Sequence, residues 1–243
     1  SAVFLLLDKT ARPLPKGIEG TAYSAAISGA WCYEAGQASF GDLLAWFVST
    51  FPRSGHAKDD FAYYDRAAAL MSPGSGHLLA LDWWNGCRVP FGDSALSGLL
   101  VGLNMRSTAV DIYHALMESI CYGARTLVDL LASSGSSIER VVLTGGLAQK
   151  NGLLMQMLAD ILGCELQIPR LTHPTAIGAA IHGAVAAGVV PDYSEGARRF
   201  GATDYRIVEP TTGVFPIYDE QYRRYCEMSG NAGVRNAMHT LNK

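Results

Sequence analysis

The sequence predicts an α/β fold, and three observations carry that prediction. Short apolar or β-branched runs ending in glycine or proline alternate with longer stretches whose apolar residues recur at helical spacing. The clearest case is Val141 to Thr144, then Gly145 and Gly146, then a helix holding Leu154, Met157, Leu158 and Ile161. The 243 residues are 49% hydrophobic, enough for one substantial core or two small ones. Charged residues make up only 17% and the formal net charge is -3, so no broad positive field exists to hold nucleic acid or an anionic membrane. The expected partners are small molecules or proteins.

In order along the chain, Ser1 to Leu7 reads as a buried strand, because Ala2 to Leu7 is an unbroken apolar run. It has no methionine and no leading turn before it, as though the chain entered mid-sheet. Pro13, Pro15 and Gly17 punctuate a loop, Thr21 to Ile27 is a second extended stretch, and Trp31 to Glu34 a third. Gly41 to Phe51 predicts a helix through Leu43, Leu44, Phe47 and Val48, stopped by Pro52. Lys58 to Met71 is a more polar helix ending at Pro73 to Gly76, so residues 53–76 read as a surface insertion.

The strongest helix runs from Thr108 to Ala132. Thr108 with Asp111 forms a capping box, and Tyr113, Leu116, Ile120, Leu127 and Leu131 make one apolar stripe. Beyond the Val141 unit, Cys164 to Ile168 alternates as a strand does, and Thr175 to Ala187 is a helix rich in glycine and alanine, which predicts tight helix packing. Residues 191–243 form a more polar C-terminal extension in which Ile217 to Met228 is a packed terminal helix, with Lys243 near a frayed end.

Several chemistries find no residues to stand on. The five cysteines show no CxxC and no Cys/His cluster, the six histidines no HExxH, and there is no GxSxG elbow, so neither a protein metal site nor an α/β-hydrolase is predicted. No run approaches the ~18 apolar residues a membrane helix needs, and the start lacks the features of a signal peptide. The location these features predict is cytoplasmic.

The stretch VVLTGGLAQKNGLLMQMLAD, Val141 to Asp160, is the most informative. A strand that ends in paired glycines and feeds a helix offers bare backbone N–H groups to a phosphate or an adenosine. It lacks the third glycine of GxGxxG and the Lys-Ser/Thr pair of a P-loop, so both of those readings fail. Taken alone, it is equally an ordinary strand-to-helix turn.

The same stretch, with Asn151, Gln156 and Asp160 following the glycines, resembles the adenosine-binding segment of sugar kinases and actin-like ATPases. TAIGAAIHGAVAAG, from Thr175, resembles the TALGAA-type helix of FGGY carbohydrate kinases. GLLVGLNMRSTAVDIYHALME, from Gly98 to Glu118, resembles that family's second signature, although Gly98 and Gly102 also read as a bend and Asp111 as a helix cap. YEAGQASFGDLLAWF (Tyr33 to Phe47) and LDWWNGCR (Leu81 to Arg88) look like the L-ribulokinase branch rather than the glycerol or xylulose kinases. The resemblance covers the chain to about Gly188.

The resemblance implies a ribonuclease-H-like (actin-like ATPase) domain, a mixed sheet flanked by helices, which closes with an N-terminal domain of the same polypeptide around ATP, Mg2+ and a pentulose. Gly145 and Gly146 would lie against the nucleotide, Asn151 would reach the adenine, and Gly41 would pass near the phosphates, with Asp42 equally a plain cap. Glu34 would accept hydrogen bonds from sugar hydroxyls; its alternative is a salt bridge or a loop cap. Trp83 and Trp84 are read equally as walls of the sugar cleft and as core, while Asn85 and Arg88 carry no assignment beyond a part in closure. The family's DxGTS-like loop and catalytic aspartate belong to its N-terminal half and are absent here, so Ser1 looks like the end of a GTS loop and the isolated chain is expected to be inactive. D-ribulose, xylulose or glycerol as substrate, a noncatalytic nucleotide-binding module, and assembly as a homodimer all stay open.

Overall fold

The computed structural model describes residues 1–241; Lys243, with its expected frayed end, lies outside them. Strands β1 (Ala2–Asp8), β2 (Gly20–Tyr23) and β3 (Trp31–Gln37) form an antiparallel sheet in the order β1-β3-β2. Phe4 and Leu6 of β1 pack with Tyr33, Ala35, Leu127 and Leu131 in a small apolar cluster. Val3, Leu5 and Leu7 point the other way and are 58%, 54% and 41% exposed. The expected buried strand is therefore an edge strand covered on one face. An unbroken apolar run does not by itself tell the two apart.

Helix α1 (Gly41–Thr50) buries the expected Leu43, Leu44, Phe47 and Val48. Helix α2 (Ala57–Ala68), in the segment read as a surface insertion, is anchored to the core, since its Tyr64 is buried at 5.0 Å from Phe47 and stacks on Tyr113 at 5.2 Å. Such ring pairs add about 0.5–1.5 kcal/mol each beyond the area they bury. The short antiparallel pair β4 (Leu79–Leu81) and β5 (Leu99–Val101) was not expected, because three residues show no period.

Helix α3 (Ala109–Ala132) spans the molecule. Thr108 Oγ1 accepts from the Asp111 N–H at 3.3 Å, and Asp111 Oδ2 accepts from the Thr108 N–H at 2.7 Å, which completes the predicted box, a device worth about 1 kcal/mol. Leu116 and Ile120 enter the main core, Leu127 and Leu131 the small one, so this helix joins the two.

Strand β6 (Val141–Val142) leads through α4 (Gly146–Lys150) and α5 (Gly152–Leu162) to β7 (Leu166–Pro169), which pairs with it in parallel. Helices α6 (Pro174–Ala186) and α7 (Tyr193–Phe200) follow, then β8 (Tyr205–Val208), antiparallel to β7, and helices α8 (Phe215–Gly230) and α9 (Ala232–Leu241). The C-terminal extension is thus no appendage: β8 completes a mixed three-stranded sheet, and Tyr218, Tyr222 and Tyr225 of α8 are buried in the main core. The tight packing expected of α6 is confined to its side against α7, where a Cβ at Gly196 would come to 2.6 Å from Ile181 Cγ2 and His182 meets Tyr193 at 4.8 Å. None of its residues is buried, and Gly178 and Gly183 have open space where a side chain would stand.

Candidate functional site

The paired glycines sit at the carboxyl end of β6. Gly145 has φ 99°, a backbone that L side chains rarely adopt, and it precedes α4 without any side-chain cap. A Cβ at Gly145 or Gly146 would meet nothing within 4 Å, so the corner is bare of side chains and both residues are exposed. Gly41, the first residue of α1, comes to the same place: a Cβ there would stand 3.1 Å from Leu147 Cδ2. The fold therefore joins Gly41, Gly145 and Gly146 around Leu147, which sequence reading had not singled out.

The start of α1 is braced. Phe40 N–H donates to Asp42 Oδ1 at 2.7 Å, and Asn85 Nδ2 donates to Asp42 Oδ2 at 3.1 Å while the Asn85 N–H reaches Ser39 Oγ at 3.1 Å. Asp42 is thus a local cap, and Asn85 ties the Trp83–Arg88 loop to it. Trp83 is core and meets Phe91 edge-on at 5.7 Å, whereas Trp84 is half-buried against Trp46 at 5.5 Å and over the backbone of Gly98.

Asn151 is buried, with both polar atoms engaged. Its Oδ1 accepts from the Leu154 N–H at 2.8 Å as the cap of α5, and its Nδ2 donates to Asp65 Oδ1 at 3.1 Å. Asp65 also accepts from the Tyr113 hydroxyl at 2.8 Å, so the Asn151 side chain fastens the glycine loop to α2 and α3. Asp65 escaped notice because its segment read as an insertion. Gln156 and Asp160 tie α5 to the 209–211 loop, where Asp160 accepts from the Thr211 N–H at 2.6 Å and Gln156 donates to Glu209 O at 2.9 Å. Next to them an open cleft of about 440 Å³ is lined by Gly152, Gln156, Arg206 and Glu209.

Glu34 lies on the exposed face of the first sheet, between Leu5 of β1 and Gly20 of β2. Among the described residues its carboxylate has no hydrogen-bond or ion-pair partner, and Gly20 beside it has nothing within 4 Å of its Cβ position. No direct contact joins Glu34 to the glycine turn; strand β3 connects them by running into Gly41. Among the described residues no three His, Cys, Asp or Glu side chains are grouped to hold a metal ion. Asp42 and Asp65 are already engaged in hydrogen bonds.

Behind these surfaces lies a buried polar cluster. Asp82 accepts from the Tyr225 hydroxyl at 2.6 Å and from Gln37 Nε2 at 2.7 Å, and burial pushes its carboxyl up to about 6. Burial likewise raises Glu118 to about 8 and lowers His114 to about 4. The 3.6 Å approach of His114 Nδ1 to Glu118 Oε1 is therefore a contact of two neutral groups near pH 7, not an ion pair.

Comparison with known proteins agrees with this architecture. Residues 1–187 match the model of the C-terminal domain of the FGGY family of carbohydrate kinases. The ribulokinase of Anoxybacillus flavithermus is 34% identical over 224 residues, covering 88% of this chain and 40% of its own length. That of Bacillus licheniformis is 31% identical over 247 residues, 97% of this chain and 45% of its own. Among solved structures, a xylulose kinase from Rhodospirillum rubrum superposes with a TM-score of 0.79 at 22% identity, over 98% of this chain and 46% of that one. Plasmodium falciparum glycerol kinase with ADP gives 0.72 at 17%, over 93% and 44%. These likenesses establish an actin-like ATPase fold, and the chain spans less than half the length of each of these relatives. No helix among the described residues is long and apolar enough to cross a membrane. The chain belongs to the FGGY family of carbohydrate kinases, its residues 1–187 corresponding to that family's C-terminal domain.

Proposed function

We propose that the protein containing this chain transfers the γ-phosphoryl group of ATP to L-ribulose, giving L-ribulose 5-phosphate, in the cytoplasm. An N-terminal domain of the same polypeptide supplies the catalytic base, and this chain supplies the nucleotide side and one sugar ligand. The observation that carries the reading is that β3, with the unpartnered carboxylate of Glu34, leads within four residues of its end to Gly41, which meets Leu147 beside the bare turn at Gly145 and Gly146. Relatives named ribulokinase, 31% to 35% identical over most of the chain, support ribulose over xylulose and glycerol.

In this reading adenosine rests on the backbone at 145 and 146, where no side chain intervenes. The phosphates point toward Gly41 and the start of α1, whose free N–H groups favour negative charge. Asn151 acts by holding the loop through Leu154 and Asp65. Glu34 accepts from sugar hydroxyls, and closure of the two domains excludes water from the γ-phosphate. Magnesium, when bound, neutralises phosphate charge, and it would arrive on the phosphates of ATP.

The test is kinetic, on the intact kinase. Glu34→Ala is expected to raise the KM for L-ribulose about tenfold and leave that for ATP within twofold, because one hydroxyl acceptor is lost from one substrate only. Equal changes in both constants, or none, place Glu34 outside the sugar pocket. A panel of L-ribulose, D-ribulose, xylulose and glycerol decides the sugar: turnover of another without L-ribulose overturns that choice.

A further inference from the structure

We propose that Arg88 is a second sugar-binding residue beside Glu34, presented by Glu19. This rests on the reading of the Glu34 face as the sugar side. Residues two apart on a strand point the same way, so Glu34, which is exposed, and position 36, which is covered, share one face of β3, while Tyr33, Ala35 and Gln37 are buried on the other. Position 36 is glycine, and a Cβ built there would stand 2.8 Å from Arg88 Cζ and 2.9 Å from its Nη1. The guanidinium occupies the seat of the missing side chain. Along the strand, the carboxylate-bearing and guanidinium-bearing positions are about 7 Å apart, twice the rise of a residue.

Arg88 does not pair with Glu34. It is held instead by Glu19, Nε to Oε1 at 2.7 Å and Nη2 to Oε2 at 2.9 Å. Glu19 is fixed in turn, because its N–H donates to the Glu34 carbonyl at 3.1 Å. The two loops also touch nearby, since a Cβ at Gly17 would lie 2.7 Å from Pro90 O, and the Arg88 loop is closed on itself by the Gly92 N–H donating to Arg88 O at 2.8 Å. Two consequences follow. The carboxylate of Glu34 stays free to accept, and Nη1, which Glu19 does not use, stays free to donate.

Among the described residues, an acceptor and an N–H donor without partners stand on one strand face, with open space at Gly20 and the guanidinium seated over Gly36. That pattern fits a chain of neighbouring hydroxyl and carbonyl groups, one hydroxyl donating to Glu34 and an oxygen further along accepting from Arg88. Stability alone does not account for it. An ion pair with Arg88 47% exposed is worth little, and a strand-interior glycine weakens the strand that carries it. The substrate class is an open-chain ketose.

Two variants of the intact kinase test the idea by separate routes. Arg88→Lys keeps the charge but loses the planar fork and Nη1, while Gly36→Ala keeps every ionisable group and puts a methyl where the guanidinium lies. Each is expected to raise the KM for L-ribulose about tenfold, the loss of one charge-assisted hydrogen bond, with the KM for ATP within twofold and the melting temperature little changed. Unchanged sugar KM in both variants overturns the proposal, as does an equal rise for both substrates. The Glu34→Ala variant separates the two claims. If it raises the sugar KM and the Arg88 variant does not, only the Arg88 proposal falls; if Arg88→Lys raises it and Glu34→Ala does not, the role of Glu34 falls while Arg88 stands.

Discussion

Glycine does two opposite jobs in this molecule. Around α3 it makes room: a Cβ at Gly98 would enter the Trp84 ring, one at Gly102 the His77 carbonyl, and one at Gly123 the carboxylate of Asp82. At the end of β6 the opposite holds, since Gly145 and Gly146 have nothing within 4 Å where a side chain would stand. In the first region glycine is demanded by neighbours already in the fold. In the second no neighbour demands it, and an exposed, flexible turn is a cost in chain entropy with no packing in return. The contrast gives three substitutions with very different outcomes, and they test the proposal that the open corner receives a ligand.

The largest effect belongs to Gly123→Ala. The added methyl would collide with Asp82 Oδ2 and come to 2.5 Å from Gln37 Nε2. Neither can retreat, because Gln37 also donates to Ile120 O at 3.0 Å and Asp82 is held by Tyr225 at 2.6 Å. Overpacking a site that is also a buried polar network should cost about 3 kcal/mol in chemical unfolding, the upper part of the usual range. A loss below about 0.5 kcal/mol would mean that the closed region yields as easily as the open one.

Glu118 gives the next effect, through pH. Unfolded, its carboxyl titrates near 4.5; folded, burial holds the proton up to about 8. Below pH 4.5 both states carry the proton and nothing is lost. Above it the unfolded state releases the proton and the folded state does not, so stability falls as pH rises toward 8. His114, lowered from 6.5 to about 4, works in the other direction and costs stability as pH falls through that window. Glu118→Gln should therefore flatten the alkaline side, gaining on the order of 2 kcal/mol at pH 8 relative to pH 5. An unfolding profile that keeps its alkaline slope would assign that slope to another group.

Much of this was legible in the sequence, and the reasons differ by element. Helix α3 announces itself through Thr108, Asp111 and a stripe every three or four residues, signals that are local and survive in any context. The unit from Val141 to Ile161 was legible for the same reason. Strand β1 misled because Val3, Leu5 and Leu7 are as apolar as the residues they alternate with, so nothing marks the exposed face. β4, β5 and β8 were invisible, being three or four residues long and fixed by long-range pairing rather than by their own pattern. Site residues divide likewise. Gly145 and Gly146 stood out as a motif, whereas Asp65 behind Asn151 and Glu19 behind Arg88 are partners across 86 and 69 positions of chain, which no local spacing reveals.

The smallest effect on stability, and the one that most sharpens the contrast, is expected for Gly146→Val. Unlike Gly145, Gly146 is not among the residues with positive φ, and it begins α4 with open space around it. A valine there meets no neighbour and needs no backbone change, so unfolding should move by less than about 0.5 kcal/mol, as for an ordinary surface substitution. Its branched side chain nevertheless stands where, in the proposed function, adenosine rests on the backbone. ATP affinity measured by calorimetry should therefore fall about tenfold or more while the fold persists, about 1.4 kcal/mol of binding lost without a matching loss of stability. Gly145→Ala is the control, since its φ of 99° makes any side chain strained and predicts loss of both stability and binding. If Gly146→Val binds ATP unchanged, the bare corner is only a turn, and the purine must be sought elsewhere, beginning with the cleft at Gly152 and Gln156.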